Sequence, residues 1–265
     1  MSNNKFEDAI LIYPTGEKKS ILVTEITKIR RKSDEEYQRN YKPYMFCSEC
    51  KRAQLSHYMT NKTIPYLKTI PTSEHLENCS FNKKCVEKKE FERYANSKIN
   101  DTDIKNRLNK ILDMFFEKQP ISKDNPFIFR FPTKNRTKPD KNKDNNIGCV
   151  EVEKFLPRKL LNNTLTENDY DTYKFFYGKV RIHWKKVENG KLSYHLFLFD
   201  INEKNSDIPL CNIAISKSVS EYIPSEYKND MNCKIAFLSK LQKSSDGKYT
   251  NALLINSTHL LIRKL

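Results

Sequence analysis

Glycine is scarce in this chain, and its scarcity excludes several functions. Only 5 of the 265 residues are glycine, which leaves no glycine-rich loop of the kind that binds nucleotide phosphates through backbone N–H groups. The motifs His-Glu-x-x-His and Gly-x-Ser-x-Gly, which mark zinc proteases and serine hydrolases, are also missing. The sequence therefore predicts none of these enzymes.

Long hydrophobic runs are missing as well. No uninterrupted apolar stretch approaches the roughly 20 residues that a membrane-spanning helix needs, and residues 1–8 show no pattern of a targeting peptide. We therefore expect a cytoplasmic protein without membrane contact. Of the seven cysteines, Cys149, Cys211 and Cys233 each stand alone in an apolar or β-like segment. In a reducing compartment such cysteines are interpreted as small buried hydrophobes.

Positive charge is what the chain has in excess. Lysine and arginine number 48 against 33 acidic residues, which gives a formal net charge of +15 and a sequence pI of about 9.3. This balance favours attraction to polyanions, of which nucleic acid is the commonest in a cell. Because AT-rich genomes also raise the lysine content, a protein-interaction adaptor is the alternative.

Four residues have the spacing of a metal site. Cys47 and Cys50 form a Cys-x-x-Cys, and His75 and Cys79 form a His-x-x-x-Cys. Each pair lies on one turn of backbone, as in tetrahedral Cys₃His zinc sites. Thiolates are soft donors that suit zinc better than magnesium or calcium. Because the protein fills all four positions, the sequence predicts a structural zinc ion and no catalytic residue.

Two other residues compete with this ligand set. Cys85 could replace His75, although the loop from Cys79 to Cys85 is longer than zinc knuckles favour. His57 is interpreted as a strand residue. The run from His75 to Glu77 is also half of a nucleobase-deaminase signature, but the Cys-x-x-Cys precedes it and lacks the proline. A zinc-dependent deaminase or hydrolase is therefore the weaker hypothesis.

Periodic patterns predict the secondary structure of the first half of the chain. Residues 9–29 predict a β-hairpin whose second strand runs to Ile26, and a short helix is expected near residues 33–36. Two further helices are predicted at residues 86–98 and 101–118. The helix of residues 101–118 is expected to pack on the metal loop. Residues 133–146 have no large apolar side chain and predict a basic loop. A strand is expected at 65–70.

The C-terminal part predicts strands separated by turns. Five candidates are expected at 175–184, 192–201, 210–216, 233–241 and 252–262, with a short helix near 218–222. The predicted fold class is α+β: a zinc-binding domain (1–120) of hairpin, zinc loop and helices, a basic linker (121–150) and a small antiparallel, OB-like β-barrel (151–265). A β-sandwich and an SH3-like barrel are the alternatives.

A known family shares several features of the N-terminal third. These are a β-hairpin, an aromatic approach to Cys47-Ser48-Glu49-Cys50, and a strand Tyr66-Leu67-Lys68-Thr69 leading to His75-Leu76-Glu77-Asn78-Cys79. Residues 9–85 are in this respect similar to the zinc-finger-like N-terminal regions of competence protein CoiA-like sequences and other bacterial or phage proteins. The resemblance implies association with nucleic acid. An acidic-x-Lys core with a matching upstream aspartate, as in a CoiA-like nuclease, is not found.

The segment from residue 173 to 199 combines rings with positive charge, the two ingredients of single-strand binding. The rings are Phe176, Tyr177, Trp184, Tyr194 and Phe197. The predicted nucleic-acid contacts are Lys174, Tyr177, Lys179, Arg181, Trp184, Lys185, Lys186 and Lys191. Trp184, which two lysines follow, is expected to be exposed. We expect a binder of single-stranded DNA or RNA that has no catalysis of its own and belongs to a larger nucleoprotein complex. The alternative is an adaptor in a bacterial or phage DNA-processing or defence complex.

Overall fold

The computed structural model describes ten segments of the chain. They are residues 5–60, 63–116, 125–132, 151–162, 165–186, 192–202, 208–216, 230–245, 247–256 and 259–265. The fold is mixed α+β, and the chain divides into two compact units, Met1–Lys84 with Pro120–Ile128 and Cys85–Gln119 with Phe129–Leu265. Among the described segments, no helix is both long and apolar enough to span a membrane.

The first unit is built from short strands and two helices. Its elements are β1 (Asp8–Ile12), β2 (Lys18–Leu22), α1 (Val23–Lys32), α2 (Asp34–Asn40), β3 (Met45–Phe46), β4 (Leu55–Thr60) and β5 (Thr63–Thr69). β1 lies between β2 and β3 in an antiparallel sheet, and β4 pairs with β5. The predicted hairpin, the helix near residues 33–36 and the strand at 65–70 are confirmed.

The predicted end of the second hairpin strand is wrong. We expected a strand as far as Ile26, whereas α1 begins at Val23. The Glu25 carboxylate accepts a hydrogen bond from the backbone N–H of Leu22, 3.2 Å away, and so caps the helix start. Helical spacing also buries both Ile26 and Thr27. Capping and burial on one helix face outweigh the β propensity of this run.

The second unit contains two further helices and most of the strands. Its elements, numbered onward along the chain, are β6 (Lys84–Cys85), α3 (Lys88–Lys98), α4 (Asp101–Phe116), β7 (Ile128–Pro132), β8 (Glu151–Phe155), β9 (Arg158–Leu160), β10 (Tyr173–Lys186), β11 (Leu192–Asp200), β12 (Cys211–Ser216), β13 (Met231–Lys243), β14 (Thr250–Leu254) and β15 (Leu260–Lys264). The two predicted helices are confirmed. α4 packs on β13 and β15, and its packing on the metal loop stays a prediction. The domain boundaries at 120 and 150 remain predictions, and the expected loop at 133–146 and helix at 218–222 lie outside the described residues.

Five strands of the second unit close into a barrel. β10 pairs with β11 along one edge and with β13 along the other, while β12 connects β11 to β14 and β14 returns to β13. All these pairs are antiparallel except β12 with β14. β15 pairs with β13, so the region 252–262, predicted as one strand, contains parts of two. A barrel of this kind leaves no open edge among its five strands.

The barrel interior is apolar because inward and outward side chains alternate along each strand. The buried cluster comprises Leu161, Phe176, Val180, Ile182, Trp184, Leu196, Leu198, Cys211, Ile213, Ile215, Cys233, Ile235, Phe237, Leu241 and Ala252. Burial raises the pKa of Cys233 to about 12 and that of Cys211 further still. Both cysteines are therefore the buried hydrophobes that the sequence indicates. Cys149 lies outside the described residues.

The outer side of β10 is covered along its first half only. Tyr177 points outward and stacks on Phe115 of α4, with ring centroids 4.1 Å apart. Phe175 stacks on Phe129 at 6.1 Å, and both are buried. From Lys179 onward, the outward side chains of β10 are exposed or half-buried. The helix α4 thus limits where a ligand can reach this strand.

Gly178 marks a close approach of two backbones. A Cβ atom at this position would lie 2.9 Å from the Leu161 carbonyl oxygen and 3.3 Å from the Leu161 Cβ atom. Leu161 is fixed there because its N–H donates to the Tyr177 carbonyl at 2.7 Å. We expect Gly178→Ala to lower the free energy of unfolding of the second unit by about 1–3 kcal/mol, the usual cost of overpacking.

Urea unfolding measures this change, with Lys179→Ala as the control. Lys179 is the next residue of the same strand and is exposed, so its substitution should change stability by no more than about 0.5 kcal/mol. Equal effects from the two substitutions would contradict the steric account.

Candidate functional site

The first half of the metal cluster is a tight turn after β3. The N–H of Lys51 donates to the Cys47 carbonyl at 2.9 Å, and Lys51 has a φ of 56°, in the left-handed region. The Cys47 sulfur accepts the N–H of Cys50, and the Cys50 sulfur accepts the N–H of Ala53. This turn therefore directs two sulfurs to one side and stabilises negative charge on them.

The second half follows β5 and contributes a histidine with a defined orientation. His75 Nε2 lies 2.9 Å from the Thr69 hydroxyl, and the His75 ring stacks on Phe6 at 5.5 Å and contacts Phe81. These contacts leave Nδ1 facing the sulfurs. A hydrogen bond on the other ring nitrogen is the usual support of a histidine that binds a metal ion.

The four donor atoms lie close enough together to surround one ion. All lie within 4.8 Å of one another. Cys47 Sγ is 3.9 Å from Cys79 Sγ, while His75 Nδ1 is 3.3 Å from Cys79 Sγ and 3.5 Å from Cys50 Sγ. Zinc–sulfur bonds of about 2.3 Å and zinc–nitrogen bonds of about 2.0 Å place tetrahedral donors about 3.5–3.8 Å apart. This cluster can hold a metal ion.

The charges of the cluster favour a cation. Hydrogen bonds from the thiols of Cys47 and Cys79 lower the pKa of Cys50. Burial raises the pKa of Cys47, and the hydrogen bond with Cys47 raises the pKa of Cys79. Burial and the mutual hydrogen bonds therefore oppose ionisation of all three thiols together. Three thiolates at this distance require a positive ion between them, whose binding releases the remaining protons.

Glu49, between the first two cysteines, connects the halves of the cluster. Its side chain is 2% exposed and accepts hydrogen bonds from the N–H and hydroxyl of Ser80, at 2.9 and 2.6 Å. Asn125 Nδ2 donates to Glu49 at 2.9 Å and to the Asn78 carbonyl at 3.0 Å. Outer contacts of this kind orient metal ligands. Sequence reasoning missed all of them, because Asn125 carries no local signal.

The two competing residues lie outside the cluster. Cys85 is exposed in β6, and its thiol donates to the Val86 carbonyl. His57 lies in β4, as expected, with Nε2 3.0 Å from the Thr27 hydroxyl. Burial, with a smaller effect of Arg30, lowers the pKa of His57 to about 4. The geometry therefore assembles Cys47, Cys50, His75 and Cys79, the four residues predicted from their spacing.

Substitution of one ligand tests the metal and its structural role. We expect about one zinc ion per chain, and Cys50→Ser should lose it and unfold the first unit while the barrel stays folded. Structural zinc contributes roughly 10–16 kcal/mol of apparent binding free energy in small fingers, more than a small core supplies. Metal analysis and amide hydrogen exchange, resolved by segment, measure both effects.

Cys85→Ser is the matched control, because Cys85 is a cysteine of the same region that lies outside the cluster. This variant should keep its zinc. Fresh, reduced wild-type protein without zinc would contradict the prediction, as would equal metal loss from both variants.

The predicted nucleic-acid contacts fall into three groups. Lys179, Lys185 and Lys186 are exposed on β10, and Arg181 is half-buried. Lys174 is held by Asp169, with 2.7 Å between its Nζ and Oδ1, and Tyr177 is only 3% exposed. Lys191 lies outside the described residues.

The expected exposure of Trp184 is wrong. Its ring points into the barrel, where it is 9% exposed and lies edge-on to Tyr194, with centroids 5.8 Å apart. Val180 and Ile182 are buried on the same side of β10. The alternation along β10 therefore assigns Trp184 to the core, and this period-two signal was available in the sequence.

The outer strip is the name we give to seven outward side chains on neighbouring strands. They are Lys179, Arg181, His183 and Lys185 of β10 with His195, Phe197 and Phe199 of β11. The register pairs Arg181 with Phe199, His183 with Phe197, and Lys185 with His195. Sequence reasoning missed His195 and Phe199, although they alternate with the buried Leu196 and Leu198.

Rings and positive charges touch within the outer strip. The Arg181 guanidinium lies 4.6 Å from the centroid of Phe199, and the rings of His195 and Phe197 lie 6.2 Å apart with 28° between their planes. His183 Nδ1 is 2.8 Å from both carboxylate oxygens of Asp230, an acidic group at the edge of the strip. The rings that β11 contributes to the strip, those of His195, Phe197 and Phe199, are half-buried. The strip therefore combines π-faces with cations.

Comparison with protein-family models, curated proteins and solved structures finds no match to this chain. The resemblance of residues 9–85 to CoiA-like proteins therefore stays a prediction.

Proposed function

We propose that this protein binds single-stranded nucleic acid on the outer strip, and that zinc in the Cys₃His cluster holds the first unit together without a catalytic role. The observation that carries the proposal is the cross-strand pairing of Arg181 with Phe199 and of His183 with Phe197. Single-strand binders combine a cationic path for phosphates with rings on which bases stack. The strip offers both within two strands.

The strand order supports an OB-type barrel, in which β10 to β14 are the first to fifth strands. Around the barrel they follow the order first, second, third, fifth, fourth, with the third and fifth parallel. OB folds bind oligonucleotides across their second and third strands and beside the loop between the fourth and fifth. Here the second strand carries Phe197 and Phe199, and that loop ends at Tyr249, which is 49% exposed.

The arrangement of charges favours a polyanion. Lys179, Arg181 and Lys185 lie along one face of β10. Arg181 and Lys185 are four residues and so about 13 Å apart along the strand, whereas Lys179 and Arg181 are two residues and so about 6–7 Å apart. The shorter distance is close to the spacing of successive phosphates in an extended strand. The Arg181 side chain is already held over a ring, which lowers the entropy lost on binding. We propose DNA as the ligand, with RNA as the other nucleic acid to be tested.

Zinc has no catalytic step in this proposal, because four protein ligands leave no position for water or substrate. We also propose that the protein acts in the cytoplasm, within a larger nucleoprotein complex. A second proposal, a protein-interaction adaptor, needs no affinity for nucleic acid and is separated from the first by direct binding measurements.

The charges of the strip are tested by the salt dependence of binding. In the wild-type protein, log affinity for a single-stranded oligonucleotide should fall linearly with log salt, because each neutralised phosphate releases about 0.7 counterion. Replacing Lys179, Arg181 and Lys185 together with glutamine should flatten this slope by about 2 units. Fluorescence anisotropy across a salt series, with DNA and RNA oligonucleotides, measures both slopes.

The matched control for this triple variant replaces Lys88, Lys89 and Lys105 with glutamine. These lysines are exposed on α3 and α4 of the same unit, so the change in net charge is identical. An equal loss of slope in the control would show that general charge attracts the ligand. Absence of affinity in the wild-type protein at low salt would favour the adaptor.

The rings of the strip are tested separately. We expect Phe197→Ala and Phe199→Ala each to weaken binding by about 1–3 kcal/mol, the range for loss of one base stack, with little change in the salt slope. Leu253→Ala is the control, since Leu253 is an exposed apolar side chain on β14. Unchanged affinity in both phenylalanine variants would exclude stacking at the strip.

A further inference from the structure

The hairpin of β4 and β5 in the first unit has one buried face and one open face. Leu55, His57 and Leu67 point inward and are buried. Tyr58 and Tyr66 are direct cross-strand neighbours on the opposite face. Their rings lie 5.5 Å apart with 11° between the planes. The function proposed for the outer strip does not involve this stacked pair.

The open face is apolar and accessible. Tyr58 is 39% exposed and Ile64 is 66% exposed. Among the described residues of the first unit, these are the large hydrophobic side chains that are exposed, and both lie on this hairpin. Surface apolar groups that gather at one place indicate a contact surface more strongly than scattered ones.

The charge of this face is positive. Lys5 Nζ lies 4.7 Å from the centroid of Tyr66, on which Tyr58 is stacked. Lys68 pairs across the strands with Ser56, on the same face as the tyrosines. Neither β4 nor β5 contains an aspartate or glutamate. The ligand that matches this face is therefore an anion with a flat apolar part.

The hairpin is held rigidly from behind. The Arg30 guanidinium donates to the His57 carbonyl at 2.9 Å, and the N–H of His57 donates to the Tyr37 hydroxyl at 3.2 Å. Both bonds connect β4 to the helices α1 and α2. Rings on such a support lose little freedom when a ligand binds, which favours affinity.

We propose that these residues, Lys5, Tyr58, Ile64, Tyr66 and Lys68, form a tyrosine platform that is a second contact for single-stranded nucleic acid. A base stacks on the open side of Tyr58, and the ammonium groups of Lys5 and Lys68 contact phosphates. The proposal rests on the proposed function for the class of ligand, but not on the outer strip. A nucleic acid fits better than a protein, because lysine is depleted in protein–protein interfaces.

Photo-crosslinking of the full-length protein tests the platform directly. A single-stranded DNA oligonucleotide that carries 5-iododeoxyuridine should form adducts with peptides that contain Tyr58 or Tyr66, because a halogenated base reacts with the ring on which it stacks. In parallel, Tyr58→Thr should weaken oligonucleotide affinity by about 5- to 100-fold, the equivalent of one lost stack. Threonine keeps a residue that favours strands.

The matched control is Tyr13→Thr. Tyr13 belongs to the same unit and also contacts a second tyrosine, Tyr44, with ring centroids 5.1 Å apart. Zinc content, measured for both variants, reports whether the first unit remains folded. A second platform variant, Lys5→Gln, removes the charge over Tyr66 without touching the hairpin and should reduce the salt slope.

The outcomes separate the platform from the outer strip. Adducts on the hairpin and weaker binding by Tyr58→Thr support the platform, even if the strip variants bind normally. Adducts confined to the barrel, with normal affinity in Tyr58→Thr and Lys5→Gln, overturn the platform and leave the strip intact. Binding by neither surface overturns both proposals.

Discussion

The antiparallel pairing of β10 with β13 determines most of the second unit. It runs from Tyr173 opposite Lys240 to Ile182 opposite Met231, and it closes the ring of five strands. Because side chains alternate, this one register sends Val180, Ile182 and Trp184 inward. A slip of one residue would bury the lysines of β10 and expose its core. The outer strip therefore exists because the barrel closes in this register.

The same pairing explains why the strip begins where it does. The outward rings of Phe175 and Tyr177 are buried, Tyr177 against Phe115 of α4. That helix is tied to the barrel by Arg263, which bonds Asp113 and Asn109 at 2.6 Å each. The helix ends at Phe116, whose ring centroid lies 5.9 Å from Nζ of Lys179, and the Lys179 side chain is exposed. A long strand thus serves two purposes, packing in its first half and presenting polar side chains in its second.

The cluster in the first unit shows which features a sequence predicts well. Cys47 and Cys50 share one turn, and His75 and Cys79 share another, so local spacing was enough to name all four. The helices α3 and α4 and the strands of the barrel were likewise visible as periodic patterns. The outward position of Phe199 and the inward position of Trp184 follow from period-two alternation along their strands, a signal that the sequence contains.

Contacts between distant segments could not be predicted in this way. Asn125 bonds to Glu49, 76 residues away, and nothing near either residue indicates the pair. The start of α1 depends on one capping carboxylate in a run of β-branched residues. The apolar face of α4 packs on β13 and β15, but its sequence pattern shows only that this face is buried and not against which strands. Each of these outcomes depends on the folded chain as a whole, whereas spacing and periodicity report only neighbouring residues.

The outer strip and the tyrosine platform share one physical arrangement. In both, rings stand on the open face of paired strands whose other face is buried, and a cation lies over a ring, Arg181 over Phe199 and Lys5 over Tyr66. The cation is thereby held near a surface on which a base can stack, and the strands keep the rings in place. These side chains would therefore lose little conformational entropy on binding a ligand. In the proposed function, such preorganisation would let a few stacks and phosphate contacts produce more affinity than scattered lysines on a flexible surface.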